Sequence, residues 1–392
     1  MATSLLRATQ IPARKLLPTL RQTVGESGVN GLGRRSIHST GWRCCSTAGS
    51  RRLNVGIMGA GRIAMTVQIK NIMNHRRLNL KWITEDNPEQ VVAVKNLFHL
   101  DDTLFYTSRD VPQLLSDKDL DAVFLFTPTK THCDLACQCL SKGKEVYVEK
   151  PAGADMDEVR RVYEHSEKSG RPLFAAFQRR FDTAYQRAVS AAHNKDIGYM
   201  QLVNLISRDN PKPSYEFLGS IGCGILTDML VHDIDVMVWI TKAQRPEFIY
   251  VVTHTHDPKM VELKEPDVIV ALIKYKDGNI IRIDSARYAA YGYDMRVEIF
   301  GSDGMASVEN PRLSTDVISG VHGSQMTRLN ESFWGRFGEA YSKEIDHFVD
   351  CLVGKTKPRT TKEECLMTAE IIQKGLVSFY ENKPVYFNLG RQ

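Results

Sequence analysis

From Leu53 to about residue 177, short apolar runs alternate with longer stretches of helical period. Leu53–Met58, Leu80–Thr84, a short run at Leu104–Thr107, Ala122–Phe126, Val146–Val148 and Leu173–Phe177 read as strands. Their unbroken apolar character suits a sheet covered on both faces. Between them the apolar spacing predicts helices over about 63–74, 88–98, 110–117, 131–142 and 155–169. Strand and helix alternating through short connections predict a doubly wound parallel sheet. The rhythm then changes. After a helix to about Asn194, two-residue alternation appears at 199–207, 247–255, 267–275, 279–288 and 294–300, with a hairpin turn at Lys276-Asp277-Gly278-Asn279. A run of strands with few helices between them predicts an α+β domain on a large open, mostly antiparallel sheet, closed by helices at about 338–353 and 361–377.

The chain has 392 residues, more than one core of ~250–300 residues holds, so two domains are expected, 53–177 and 178–392. Composition places the chain among ordinary globular proteins, and no apolar run approaches the ~20 residues of a membrane-spanning helix. The formal net charge of +5 misleads, because residues 1–52 carry nine basic side chains against one acid, Glu26. The folded body is therefore mildly acidic, without the basic stripe that nucleic acid would require. Residues 1–52, rich in arginine, serine and threonine, read as a targeting or disordered extension. They resemble a mitochondrial transit peptide, so the matrix is the expected location and the cytoplasm the alternative. Eight scattered cysteines make no disulfide framework. Cys133, Cys137 and Cys139 read as small buried residues of one helix, and with no matching Cys/His pair no metal site is expected.

Candidate chemistry gathers where the strands of the first sheet end. Gly59-Ala60-Gly61-Arg62-Ile63-Ala64 stands between a strand and a helix, the context in which G-x-G-x-x-A binds a dinucleotide. The first domain is therefore expected to be a Rossmann fold. Gly59 makes the turn, Gly61 admits backbone to the pyrophosphate, and the helix N-terminus faces the phosphates. An acid at the end of the second strand, Glu85 or its neighbour Asp86, would hold the adenosine ribose or else cap the next helix. A carboxylate there repels a 2′-phosphate, which favours NAD over NADP. Thr127, Pro128, Thr129 and His132 follow another strand and face the same crevice. Lys150 ends the strand 146–148, fixed there by Pro151. Farther on, three glycines, 219, 222 and 224, lead into a helix on which Asp228 and His232, four apart, share a face.

Phe126-Thr-Pro-Thr-Lys-Thr-His132 and Glu149-Lys150-Pro151, behind Gly59-Ala-Gly-Arg-Ile63, strongly resemble the Gfo/Idh/MocA family of NAD(P)-dependent oxidoreductases. The resemblance spans about residues 53–390. It implies that Lys150, Asp228 and His232 are the catalytic set of inositol-dehydrogenase-like members. It also implies cofactor contacts from Arg62, Ile63, Glu149, Lys150 and Arg179, beside Gly59, Gly61, Glu85, Thr127, Pro128 and His132. Arg179-Arg-Phe-Asp182, Ser207-Arg-Asp209 and Tyr291-Gly-Tyr293-Asp294 point to the same branch, with Asp209 and Tyr293 as substrate contacts beside Lys150, Asp228 and His232. Oxidising a secondary alcohol needs a proton acceptor, a hydride acceptor and positive charge beside the forming alkoxide. His232 would be the base, Asp228 would orient it or bind substrate, Lys150 would polarise the oxygen, and NAD would take the hydride. Thr129, Met229 and Asp209 depart from the family pattern and leave the substrate, a polyol or sugar, open. A redox-neutral sugar enzyme using NAD and a non-catalytic NAD-binding regulator are the alternatives. An open sheet predicts a homodimer or homotetramer.

Overall fold

The first sheet is built from the apolar runs. β1 (Leu53–Met58), β2 (Leu78–Thr84), β3 (Phe105–Tyr106), β4 (Ala122–Leu125), β5 (Glu145–Glu149) and β6 (Leu173–Ala176) stand in the order β3-β2-β1-β4-β5-β6, all parallel. The computed structural model describes residues 51–101, 104–221 and 224–388. The extension expected over 1–52 therefore lies outside the described residues, apart from Arg51, which pairs with Asp121 at 2.5 Å, and Arg52. Strand order reverses between β1 and β4, which opens a crevice beyond the carboxyl ends of the strands.

Local chemistry sets the helices of this half. Asn87 caps Pro88–Phe98 by accepting the Glu89 N–H, and Asp155 caps Met156–Ser169 by accepting that of Glu158. The helix expected over 110–117 is only Val111–Leu114, preceded by a tight turn at Ser108–Asp110. Asp117 accepts the Asp119 N–H, and that local turn displaces further helix.

The second sheet contains β7 (Met200–Arg208), β8 (Phe248–His254), β9 (Val268–Lys274), β10 (Ile280–Ala286), β11 (Asp294–Gly301) and β12 (Met305–Val308). β13 (Val317–Gly320) and β14 (Gly323–Met326) form a separate exposed hairpin, and β15 (Val385–Tyr386) returns to the second sheet. Its order is β12-β11-β7-β10-β9-β8-β15, antiparallel except for the pair β7 and β10. Alternation places Ile249, Val251, Ile269, Ala271, Ile273, Ile281 and Ile283 inside, while Val252, Val270, Leu272 and Ile280 stay exposed. The short elements β12 to β15 and helix Pro258–Glu262 span too few residues for a period to reveal them.

Two long helices tie the sheets together. Lys362–Glu381 opens with a capping box between Thr361 and Glu364 and packs on β8, where Ser378 Oγ accepts the Val251 N–H at 2.9 Å. Phe333–Leu352 returns to the first sheet. Its Phe348 ring lies 5.2, 5.5 and 5.4 Å from those of Phe124, Tyr147 and Phe174, which are paired neighbours on β4, β5 and β6. Arg77 and Asp350 reinforce the contact at 2.6 Å. Among the described residues no helix is long and apolar enough to cross a membrane.

Candidate active site

At the end of β1, Gly59 has φ +84°, and a Cβ there would lie 2.9 Å from the Thr127 amide nitrogen. Only glycine fits that turn. At Gly61, by contrast, a Cβ would meet nothing closer than the Phe126 carbonyl oxygen at 3.7 Å, so the space above this residue is open to a ligand. Glu85 stands beside the loop, its Oε2 accepting the Ala60 N–H and its Oε1 the Asn87 N–H, both at 2.9 Å. Asp86 turns away and accepts the Ser108 N–H at 2.7 Å. Of the two acids, Glu85 is the one at the glycines. The glycine turn, the open space at Gly61 and a carboxylate at the end of β2 fit the adenosine diphosphate portion of NAD.

Lys150 leaves β5 towards the second half of the chain. Its Nζ donates to the Asp228 carbonyl oxygen at 2.9 Å and to Asp228 Oδ1 at 3.2 Å. The same carboxylate receives Arg287 Nη1 on Oδ2 at 3.4 Å. Arg287 follows β10, is wholly buried, and donates from Nη2 to Glu265 Oε1 at 2.7 Å. Glu265, also buried, accepts the backbone N–H groups of Gly224 and Ile225 at 2.9 and 2.8 Å. A chain of charge therefore runs from the backbone that begins the Asp228 turn, through Glu265 and Arg287, to Asp228 and Lys150. Burial alone would raise the Asp228 pKa, but Lys150, Arg287 and Arg62 together hold it below the ordinary carboxylate value. Neither Arg287 nor Glu265 stands out in the sequence, since their pairing depends on two distant segments meeting.

The expected Asp228–His232 couple does not form as a uniform helix would make it. Ile225–Met229 is a π turn, and the α-helix proper is Leu230–Ile240. The wider turn changes the angular offset between the two residues. Among the described residues no hydrogen bond joins them, and His232 Nδ1 is buried without a partner. Burial, with Lys150 and Arg179 in the same direction, pushes the His232 pKa well below its ordinary value, so the ring is neutral at pH 7. Asp209, just past β7, faces the same group. No hydrogen bond among the described residues reaches its carboxylate. Burial and then the nearby Asp228 raise its pKa to about 6, against Arg287, Arg62 and Lys150. Tyr293 lies beside Asp209, and burial raises its phenol above the ordinary value. Arg62 crosses from the glycine loop to lie 5.6 Å from the Phe217 ring and 5.2 Å from that of Phe333.

Three residues expected at the cofactor turn inward instead. His132 is 1% exposed, and its ring nitrogens lie 2.8 and 2.7 Å from the carbonyl oxygens of Pro151 and Thr127, so it ties the ends of β4 and β5 together. Arg179 is buried against Asp233 at 2.5 Å and Ser207 at 3.1 Å, under the helix that carries His232. The Glu149 Oε1 atom is sealed from solvent without a partner. A buried ionic or polar group takes the partners that compensate its lost hydration, and for His132 and Arg179 those partners lie behind the crevice. Thr127, Pro128 and Ile63 remain at the strand ends around the glycine loop.

Residues 53–177 match the family model described as "Oxidoreductase family, NAD-binding Rossmann fold", and residues 185–307 match the GFO/IDH/MocA C-terminal domain. Inositol 2-dehydrogenase 1 of Saccharopolyspora erythraea is 30% identical over 251 residues, 64% of this chain and 71% of that protein. The chain belongs to the Gfo/Idh/MocA family. Myo-inositol 2-dehydrogenase of Thermotoga maritima is 28% identical over 333 residues, covering 85% of this chain and 98% of that protein. The crystal structure of a myo-inositol dehydrogenase from Corynebacterium glutamicum superposes with a TM-score of 0.77 at 25% identity, covering 86% of this chain and all of that one. As a Gfo/Idh/MocA protein with both domains, this chain is an NAD-dependent oxidoreductase.

Proposed function

We infer that this Gfo/Idh/MocA enzyme oxidises a ring secondary hydroxyl of a cyclic polyol or sugar to the ketone, with inositol as the first substrate to test. The observation that carries the reading is Lys150 Nζ, held 3.2 Å from Asp228 Oδ1 at the end of β5, with a neutral His232 on the same helical segment. The inositol dehydrogenases among its relatives support the choice of substrate class. NAD, when bound, supplies the hydride acceptor. His232, kept uncharged by burial, takes the hydroxyl proton. Lys150 puts its ammonium beside the oxygen as negative charge develops. Asp228 holds Lys150 in place, and Asp209, an acceptor with no donor among the described residues, accepts substrate hydroxyls.

The test is NADH formation by the full chain with NAD or NADP, across a panel of inositols and aldoses and across pH. Turnover of an inositol with NAD is expected. Below pH about 6 Asp209 protonates, so KM should rise on the acid side, and Asp209→Asn should remove that rise. Tight NAD binding without turnover of any polyol or sugar would sink the reading, and product without NADH would replace it with a redox-neutral reaction. The open face of the second sheet, with Val252, Val270, Leu272, Ile280 and Phe300 exposed, supports a homodimer or homotetramer. A monomeric mass in light scattering at micromolar concentration would refute that.

A further inference from the structure

Behind the crevice lies a group of titratable side chains that the reaction does not use. Gln68, on the helix that follows the glycine loop, is wholly buried and donates from Nε2 to the Tyr147 hydroxyl oxygen at 3.0 Å. Tyr147 in turn donates to Glu344 Oε2 at 2.7 Å. Glu344 is wholly buried in the middle of helix Phe333–Leu352. Glu149 completes the group from the end of β5, next to Lys150, and Tyr341 lies beside both carboxyls. Glu149 as a residue keeps some exposure, but its Oε1 has none.

Two features of this cluster stand together. Among the described residues no lysine, arginine or histidine forms an ion pair with Glu149 or Glu344. Within the cluster formed by Gln68, Tyr147, Glu149, Tyr341 and Glu344, the buried side-chain atoms without a hydrogen-bond partner are Gln68 Oε1, Glu149 Oε1 and Glu344 Oε1. All three are acceptors. A cluster short only of donors is completed by protons, and a protonated carboxyl turns one acceptor into a donor. Two carboxylates with no ion-pair partner, buried beside Tyr147 and Tyr341, would keep a large part of the cost of buried charge.

We propose that Glu149 and Glu344 form a buried acid pair that is protonated on the acid side of neutrality, and that a neutral Glu149 is a positioning residue for Lys150. An ionised Glu149 would draw the neighbouring ammonium back from the crevice, whereas the neutral acid leaves that charge to Asp228 and the reacting oxygen. The surrounding electrostatics agree. Burial raises the Glu149 pKa to about 7, against the Lys150 charge and the Gln68 amide. For Glu344, burial and then Glu149 and Asp235 raise it well above the ordinary carboxylate value, against the Tyr147 hydroxyl and the Phe177 backbone. Both groups are therefore neutral at lower pH, and Glu149 gains its charge as pH rises through about 7.

The role given to Lys150 rests on the dehydrogenase reading above; the acid pair itself does not. Two measurements separate them. Infrared spectra of the substrate-free enzyme at about pH 6 should show a carboxylic-acid C=O stretch that weakens in Glu149→Gln and in Glu344→Gln. Absence of any such difference between wild type and Glu149→Gln overturns the acid pair, whatever the turnover and whether or not the Glu344 variant folds. Gln mimics the neutral acid, so Glu149→Gln should retain wild-type kcat at about pH 6. The ratio of its kcat to that of wild type should then rise several-fold by about pH 9. A flat ratio, or a tenfold loss at the acid end, overturns the positioning role.

Discussion

Lys150→Met should lower kcat by about 10²–10⁴-fold while the dissociation constant for NAD changes by less than about threefold. Methionine keeps most of the volume of the lysine stem, so the end of β5 stays packed and the change is confined to the charge. Two things are lost with it. The first is the ammonium beside the reacting oxygen. The second is the bond to Asp228 Oδ1, 3.2 Å long, and that to the Asp228 carbonyl, 2.9 Å, which fix the approach of the π turn to the crevice. Asp228, held down partly by Lys150, should titrate at higher pH in the variant. Steady-state kinetics with the best substrate of the panel, together with NAD titration by fluorescence, would check the expectation. A variant within tenfold of wild type would remove Lys150 from the catalytic set and the dehydrogenase mechanism with it.

The second large effect is expected at a residue that touches no hydride or proton in the reaction. Arg287→Met should cost about 3–5 kcal/mol of stability, because it strands the carboxylate of Glu265 in a buried site. Glu265 would still accept the Gly224 and Ile225 N–H groups, so its charge would not be wholly uncompensated. Adding Glu265→Gln removes the stranded charge and keeps an acceptor for one of those groups, so the double variant should recover part of the loss. Urea unfolding of the two variants would measure both quantities. A single variant within about 1 kcal/mol of wild type would show that the buried pair is worth little net, as replaced ion pairs sometimes are. Activity should fall in either variant, because Asp228 loses the cation on its Oδ2.

How much of this can be read in the residues depends on the range of the interaction. The strands, the glycine turn and the placing of Lys150 are local: an apolar run, a glycine at φ +84° and a proline after a strand each carry their own signal. The open second sheet is legible for the same reason, since Val268–Lys274 and Ile280–Ala286 alternate cleanly about a short turn. What fails is inference across a turn of unexpected pitch. Asp228 and His232 are four apart, and a uniform helix would make them partners, but the π turn at Ile225–Met229 intervenes and Asp228 bonds to Lys150 and Arg287 instead. Contacts between distant segments are also invisible. Arg179 resembles a cofactor residue by motif, yet Asp233 lies close enough to bury it, and only the fold brings those two together. His132 is misplaced for a related reason, because the Pro151 carbonyl within reach of its ring belongs to the neighbouring strand.

The return of helix Phe333–Leu352 to the first sheet bears on how the protein is made. Until that helix leaves the ribosome, the strip formed by Phe124, Tyr147 and Phe174 has no Phe348 to cover it, and Tyr147 has no Glu344 to receive its hydroxyl. The nucleotide-binding half, although synthesised first, cannot complete its core before most of the other half has been translated. Domains usually finish in the order in which they emerge. Here the two sheets share one contiguous hydrophobic core, and a gene fragment ending before residue 333 would encode a sheet with an aromatic face open to solvent.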